Sequence, residues 1–562
     1  MALRGGSKAL LATASIAVAL AAADTYVVVL ALQDMMNGVG IGVDALQQAA
    51  PIISGFLLGY VAVLPLIGRL ADLVARQRIL LWCLAIFVVG SAVTAIAVEL
   101  PVLVAGRVVQ GIGGGGLVPA TLALVADLWP RGRRGTALGV VSAVQELGSV
   151  LGPLFGALIL ALWDWRVIFW VNAAAGVLLA AGIRVIGGGT DPTTASRPTR
   201  PAWWWGALTL LATAATIVLL GLALLAPTGL TSSIRWGAPF VPYAGHTDRL
   251  ATPIGVWGLV ALAVAGLLSA RYWWPVLRRA DLMGAVLIAV ALGSVILTFA
   301  SANPEKQVVG PLGLWLLPVA ALAVVLYVWR HHTAAAPLIS RGVLTGRVRP
   351  AMICSLCVGT ALVAIVVDVP LLARLTVTDS ETTAALILVR FLVAVPVGAL
   401  LGGWLLRRAA PGLVAAPGLA VTALGLALMA TWSGDALNAV TSTIELVVVG
   451  LGIGLAIAPV NDAALHDAPD ADHGVAAALV VVARMIGMVV GLALLTAIGL
   501  HRFYVHILSL PNPTAAQVEA AGVVQVQTVF LGAAIAAAVA ALLATTLGVR
   551  RTTTDQMAPL NS

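Results

Sequence analysis

The sequence predicts an all-α polytopic membrane protein, two similar six-helix bundles with about four further transmembrane helices between them. Three observations predict this. Across 562 residues the chain is 61% hydrophobic and only 10% charged, too little polar surface for a water-soluble fold. Apolar runs of the length that crosses about 30 Å of hydrocarbon as a helix recur sixteen times. The first six runs also share landmarks with the last six, the internal repetition from which many membrane proteins are built.

The runs fall near residues 9–31, 49–68, 79–98, 101–127, 136–162, 166–187, 203–225, 253–271, 281–300, 311–329, 350–373, 383–406, 412–432, 442–464, 474–500 and 526–548. They divide the chain into an N-terminal bundle (1–190), a linker region with four spans (191–345), a C-terminal bundle (346–550) and a tail (551–562). The first run imitates a secretory signal, with Arg4 and Lys8 ahead of an apolar stretch that reaches Ala21, Ala22 and Ala23. It continues through Asp24 to Leu32, which is long enough to span, so a retained first helix is expected.

An even number of spans puts both termini on one side, and the basic residues say which. Segments on the N-terminal side carry 22 of the 31 Lys and Arg, the opposite loops six, and Arg107, Arg390 and Arg484 fall within spans. By the positive-inside rule both termini are expected in the cytoplasm. Trp203, Trp204 and Trp205, with Trp273 and Trp274, then fall at the inner interface, where an aromatic belt belongs. The net charge of +8 therefore reads as membrane orientation, and no nucleic-acid partner is expected.

The repeat is most visible at matching places in the two halves. After the second span of each comes a Gly-led basic turn, GRLADLVARQR from Gly68 and GGWLLRRAAPG from Gly402. The fourth spans carry GIGGGGLVP from Gly111 and GIGLAIAP from Gly452. Each fifth span has one charge followed by glycines four apart: Glu146 with Gly148, Gly152 and Gly156, and Arg484 with Gly487 and Gly491. Such glycines make a smooth strip against which another helix packs closely. Glu146 lies roughly 160° around the helix from the strip, so one face can slide while the other carries charge.

Charges at the bilayer centre cost roughly 2.5–3.5 kcal/mol on insertion scales and usually face a cavity, a partner or a transported species. Depth counting places Glu146 and Arg484 near the midplane. It places Asp24 with Arg107, and Asp368 with Arg390, toward the outer third, and predicts three pairs. Structural ion pairs that fix helix register are the plain alternative. For Glu146 and Arg484 function is favoured, because a carboxylate in a crevice that faces water on alternate sides can bind and release a proton, and making or breaking its pair switches protonation. Asp72, between Arg69 and Arg76, fits a latch that holds two bundles together until they rock apart.

No nucleophile, base and orienting group converge, and no Gly-rich loop follows a strand, so neither an enzyme nor a cofactor is expected. Cys354 and Cys357 form a C-x-x-C, but inside an apolar span with no second Cys or His cluster they read as small core residues, and no metal site is expected.

Several of these residues carry a resemblance to the major facilitator superfamily. Its loop signature is similar to Gly68, Leu70, Ala71, Asp72 and Arg76, with Ala75 and Gln77 departing from the usual glycine and basic residue. Arg107, Gln110 and Gly111 resemble its helix-four motif, and Gly148, Gly152, Pro153 and Gly156 complete the antiporter motif of its helix five. Asp24, Thr25 and Val27 resemble the helix-one motif of the drug:proton antiporter branch with linker helices. The stretches beginning at Asp24, Val366 and Val480 look similar to the mycobacterial members that export triacylglycerides and are associated with drug efflux.

That resemblance implies a proton-coupled exporter of lipid-like or amphipathic molecules, working by alternating access in the inner membrane, and a periplasmic lipoprotein partner. Asp24, Glu146 and Arg484 would couple and switch, Arg107, Asp368 and Arg390 would support them, and Asp72 with Arg76 would form the inner latch. Multidrug:proton antiport with loose specificity is the alternative; a non-transporting scaffold is disfavoured by the costly buried charges. Spans 203–225 and 253–271 carry no acid or base before Arg271 at the very end of the second and are expected to face lipid or to stabilise.

Overall fold

The computed structural model describes residues 5–40, 46–130, 134–187, 203–232, 237–243, 248–300, 313–378, 380–510 and 514–548. The tail 551–562, and Arg4, Arg131, Arg133, Arg197, Arg200, Arg235, Lys306, Arg550 and Arg551 of the basic count, lie outside them. Among the described residues there are helices and no strands. The N-terminal bundle comprises α1 (Gly5–Gly38), α2 (Leu46–Leu73), α3 (Arg76–Ile96), α4 (Leu100–Leu128), α5 (Arg134–Leu162) and α6 (Arg166–Gly187). Between the bundles lie α7 (Trp203–Leu225), the single turn α8 (Thr228–Thr231), α9 (Pro253–Arg279), α10 (Leu282–Ala300) and α11 (Gly313–Thr333). The C-terminal bundle comprises α12 (Val348–Thr376), α13 (Glu381–Leu405), α14 (Pro411–Met429), α15 (Val440–Asp467), α16 (His473–Leu508) and α17 (Ala515–Ala544).

Fifteen of the described helices are long and apolar enough to cross a membrane, and the apolar part of α10, Leu282–Thr298, is shorter. All sixteen expected spans are therefore helices, and the chain is a multi-pass membrane protein.

Both bundles are built around a glycine-rich central helix. A run such as GIGGGG costs about 1 kcal/mol per glycine relative to alanine in an isolated helix; in α4 the missing side chains let neighbouring backbones approach. A Cβ at Gly113 would lie 2.6 Å from the Cys83 carbonyl oxygen on α3, and one at Gly111 would collide with the Phe56 carbonyl on α2. The same device recurs in α15, where a Cβ on Gly452 would meet the Gly418 carbonyl of α14 and one on Gly454 the backbone of α13. The four-spaced glycines repeat the symmetry. Gly148 and Gly152 of α5 lie against the Ala19 and Ala23 carbonyls of α1 and Gly156 against Val27, while Gly487 and Gly491 of α16 lie against Leu356 and Thr360 of α12.

The linker helices pair as α7 with α9 and α10 with α11. The first pair sits at the periphery with Leu210, Leu211, Leu262 and Leu267 exposed, as lipid-facing helices require. Arg249 ties it down, its backbone N–H donating to Glu99 and its guanidinium to the Leu224 carbonyl. α10 does something different: it lies along α2 and also touches α16, one helix from each bundle.

Between the last two expected spans, 474–500 and 526–548, the described residues are largely helix continuous with those spans. α16 runs unbroken to Leu508, about 54 Å at 1.5 Å per residue, well beyond a hydrocarbon core of about 30 Å. The return helix α17 starts in a capping box, Thr514 N–H donating to Gln517 Oε1 at 2.9 Å and Gln517 N–H to Thr514 Oγ1 at 3.4 Å. The two form a hairpin standing proud of the C-terminal bundle.

Candidate functional site

Glu146 and Arg484 meet between the bundles. Each lies about 17–18 Å along its helix from the end at the basic face, where α2 ends and α5 begins. Their side chains turn away from the glycine strips, and Arg484 Nη1 reaches Glu146 Oε1 at 3.4 Å with both side chains about nine-tenths buried. The same helical phase that packs each strip on its own bundle aims each charge at the other one.

The pair sits in a crevice. One part is lined by Thr25, Leu57, Tyr60, Gln145, Ser149, Met485 and Met488 around the two charges. The adjoining part is walled by Pro153, Leu362, Val366, Leu388, Phe391, Leu392 and Val395, with Glu146 and Ser149 at its edge. A mostly apolar cavity with a few convergent polar groups is the usual form of a ligand site. A buried ion pair is costly to break on one side, about 3–5 kcal/mol, so its making and breaking can drive a conformational choice.

Asp24 lies elsewhere, inside the N-terminal bundle. Its carboxylate accepts from Arg107 Nη1 at 2.6 Å, Gln110 Nε2 at 2.9 Å and Asn172 Nδ2 at 2.6 Å. Arg107 also donates to Gln110 Oε1 at 2.7 Å and stacks over the Phe56 ring at 4.4 Å. Asp24 and Arg107 are each 1% exposed, and every oxygen of the acid has a donor.

The expected pairing of Asp368 with Arg390 is not found. Arg390 Nη1 donates to Thr443 Oγ1 of α15 at 2.8 Å, and Asp368, 1% exposed, has an oxygen with no hydrogen-bond partner. Counting residues from a helix end fixes height but not azimuth, and these two turn to different neighbours. Glu445, near the outer end of α15 and half-buried, accepts from the indole N–H of Trp432.

At the basic face the bundles are fastened twice. On one side Asp72, its side chain fully buried, accepts from the backbone N–H of Gly474 at 2.7 Å and of Val475 at 3.0 Å. These are free donors at the N-terminus of α16, where a carboxylate is favoured. Arg76 holds Asp72 at 3.1 Å and Asp127 at 3.2 Å, and Arg69 pairs with Asp472 at 3.0 Å. The helices touch there because a Cβ on Gly68 would come 2.6 Å from the Gly474 carbonyl.

On the other side, by the same pseudo-twofold relation, α5 meets α13 through Gly135, Gly139 and Gly403. Arg134 at the start of α5 donates to Asp462 Oδ1 of α15 at 2.7 Å and to its carbonyl at 3.0 Å, and Arg407 donates to Thr136 Oγ1 at 2.7 Å. Sequence reasoning missed Arg134 and Asp462: one was counted only toward orientation, the other lies at the end of α15. The repeat held the signal, since the start of the fifth span in one half answers the start of the fifth span in the other.

Among the described residues no group of His, Cys, Asp and Glu could hold a metal ion. Cys354 and Cys357 are buried free thiols, Cys354 against the Ala540 carbonyl.

Comparison with known proteins agrees with this architecture. The solved structures it resembles include a human organic anion transporter (TM-score 0.54, 13% identity, 95% of this chain and 100% of that one). A proton:xylose symporter gives TM-score 0.55 at 13% identity over 98% and 96% of the two chains. Such likeness speaks for the fold alone. Sequence relatives are nearer: the triacylglyceride transporter of Mycobacteroides abscessus is 35% identical over 520 residues, 89% of this chain and 84% of that one. That of Mycolicibacterium smegmatis is 36% identical over 527 residues, 91% and 79%, and that of Mycobacterium tuberculosis 35% over 517 residues, 89% and 84%. The family model described as Major Facilitator Superfamily matches residues 14–316 and 283–492. Two six-helix bundles related by internal repetition, with this coverage, place the chain in the major facilitator superfamily.

Proposed function

We propose that this protein is a proton-coupled exporter of triacylglyceride-type or similarly amphipathic lipid, working by alternating access. The observation that carries the reading is the Glu146–Arg484 pair, which joins the two bundles across an apolar crevice. Protonation of Glu146 removes its charge and weakens the attraction to Arg484, so proton occupancy and bundle separation are linked. Asp72 and Arg134 fasten the basic face in one conformation, and release of both would open it.

Two features favour lipid over a polar cargo. The crevice wall between α5, α12 and α13 is apolar apart from the edge that carries Glu146 and Ser149. Transport of triacylglyceride is also what the names of the sequence relatives say of them. The excess of basic residues on the N-terminal side supports cytoplasmic termini and an inner-membrane location. The long α16–α17 hairpin would then project outward, where it could meet a periplasmic lipoprotein carrier.

The test is reconstitution in vesicles with a labelled triacylglyceride and a cationic dye side by side, with and without an imposed pH gradient. Gradient-dependent movement of the lipid supports the reading. Movement of the dye alone selects multidrug:proton antiport, and movement of neither removes proton-coupled transport altogether.

A further inference from the structure

We propose that Asp368 is a proton-binding site of the C-terminal bundle, and that it carries its proton in the conformation described above. The argument starts from symmetry. α1 and α12 open the two halves, and Asp24 and Asp368 stand at matching heights on them. Asp24 is enclosed by Arg107, Gln110 and Asn172. Asp368 is equally buried, yet one of its oxygens has no partner.

Among the described residues, none of the elements packed against α12 brings it a compensating charge, and Arg374 of α12 itself is exposed. On α13, Arg390 is held by Thr443. On α15, Glu445 is held by Trp432, and Asp462, His466 and Asp467 belong to the opposite end. On α16, Arg484 is paired with Glu146, and His501, Arg502 and His506 lie on the exposed outer extension; on α17, Glu519 is exposed. A bare carboxylate in such a place costs several kcal/mol, whereas a neutral acid needs only one acceptor for its O–H.

Val366, two residues before Asp368 on α12, lines the crevice beside Glu146 and lies roughly 160° around the helix from Asp368, so the acid faces the interior of its own bundle and away from the crevice. The chemistry is a simple addition: a proton from water joins one carboxylate oxygen, and no other bond changes. Any part in transport rests on the proposed proton coupling; the binding itself does not.

Infrared difference spectroscopy of the full-length protein in lipid nanodiscs, stepped between acidic and alkaline buffer, tests the assignment without substrate or gradient. The parent should show the carbonyl stretch of a protonated carboxylic acid at neutral pH that is lost in Asp368→Asn and kept in Glu146→Gln. Persistence of the same band in Asp368→Asn overturns the proposal. Should the amide variant fail to fold, Asp368→Glu keeps the acid but moves it: a shifted band supports the site, and an unshifted one overturns it. Failure here leaves export through Glu146 intact, and loss of gradient-driven export with this band unchanged leaves Asp368 intact.

Discussion

The two seams between the bundles are related by pseudo-symmetry but are finished differently. Along one, α2 meets α16, Asp72 caps the N-terminus of α16, and α10 lies over the junction with α11 behind it. Along the other, α5 meets α13 through glycines, Arg134 reaches Asp462, and no linker helix packs on α5 or α13 with more than slight contact among the described residues. Leu147, Leu151 and Leu158 of α5 and Val393, Val397 and Leu400 of α13 are exposed there. The crevice extends toward this uncovered side. The lesson is that an internal repeat fixes how bundles pack, while an insertion decides which seam is covered. On the proposed function, cargo would pass by the α5–α13 side.

That contrast can be attacked at several points. The largest effect is expected from Gly139→Leu, because even a Cβ would lie 2.8 Å from the Ala399 carbonyl and α13 could no longer close on α5. Export in vesicles should fall about tenfold or more, tenfold corresponding to ~1.4 kcal/mol. Next comes Asp72→Asn, which removes the charge from two backbone hydrogen bonds, charge-assisted bonds being worth about 1.5–3 kcal/mol each. Spin-label distances between α2 and α16 should show the basic-face-open population raised about tenfold; an unchanged distribution would mean that the latch holds nothing. A cross-link between cysteines at Leu58 and Gly293, which face one another on α2 and α10, should leave export within about twofold, since α10 lies mainly along the N-terminal bundle. The same chemistry between residues 139 and 403 should stop it. The smallest effect is expected at the periphery: Arg271→Ala, which loses stacking on Trp205, should change export less than about twofold, because exposed cation–π contacts are worth about 0.5–1 kcal/mol.

Sequence reasoning recovered what depends on one helix at a time. Length and hydropathy located every span, and glycine spacing marked the packing strips of α5 and α16, because helical phase follows from residue number alone. The opposition of charge and strip at Glu146 was legible for the same reason. What escaped depends on how helices are turned toward one another. Asp368 and Arg390 share a depth yet face different neighbours, and Arg134 finds Asp462 only because α5 and α15 converge at the basic face. The cover that α10 gives to one seam was likewise invisible, since an apolar helix reads alike whether it faces lipid or a groove. The helical reach of α16 beyond the bilayer could have been read from the absence of a turn signal before Pro511.

The account depends most on the charge pair that joins the two bundles, so the decisive measurement is triacylglyceride export by Glu146→Gln in vesicles with an imposed pH gradient. The account predicts that the variant folds and still binds lipid, but that the gradient no longer accelerates export. Export driven by the gradient at the parent rate would show that the proton acts somewhere other than Glu146.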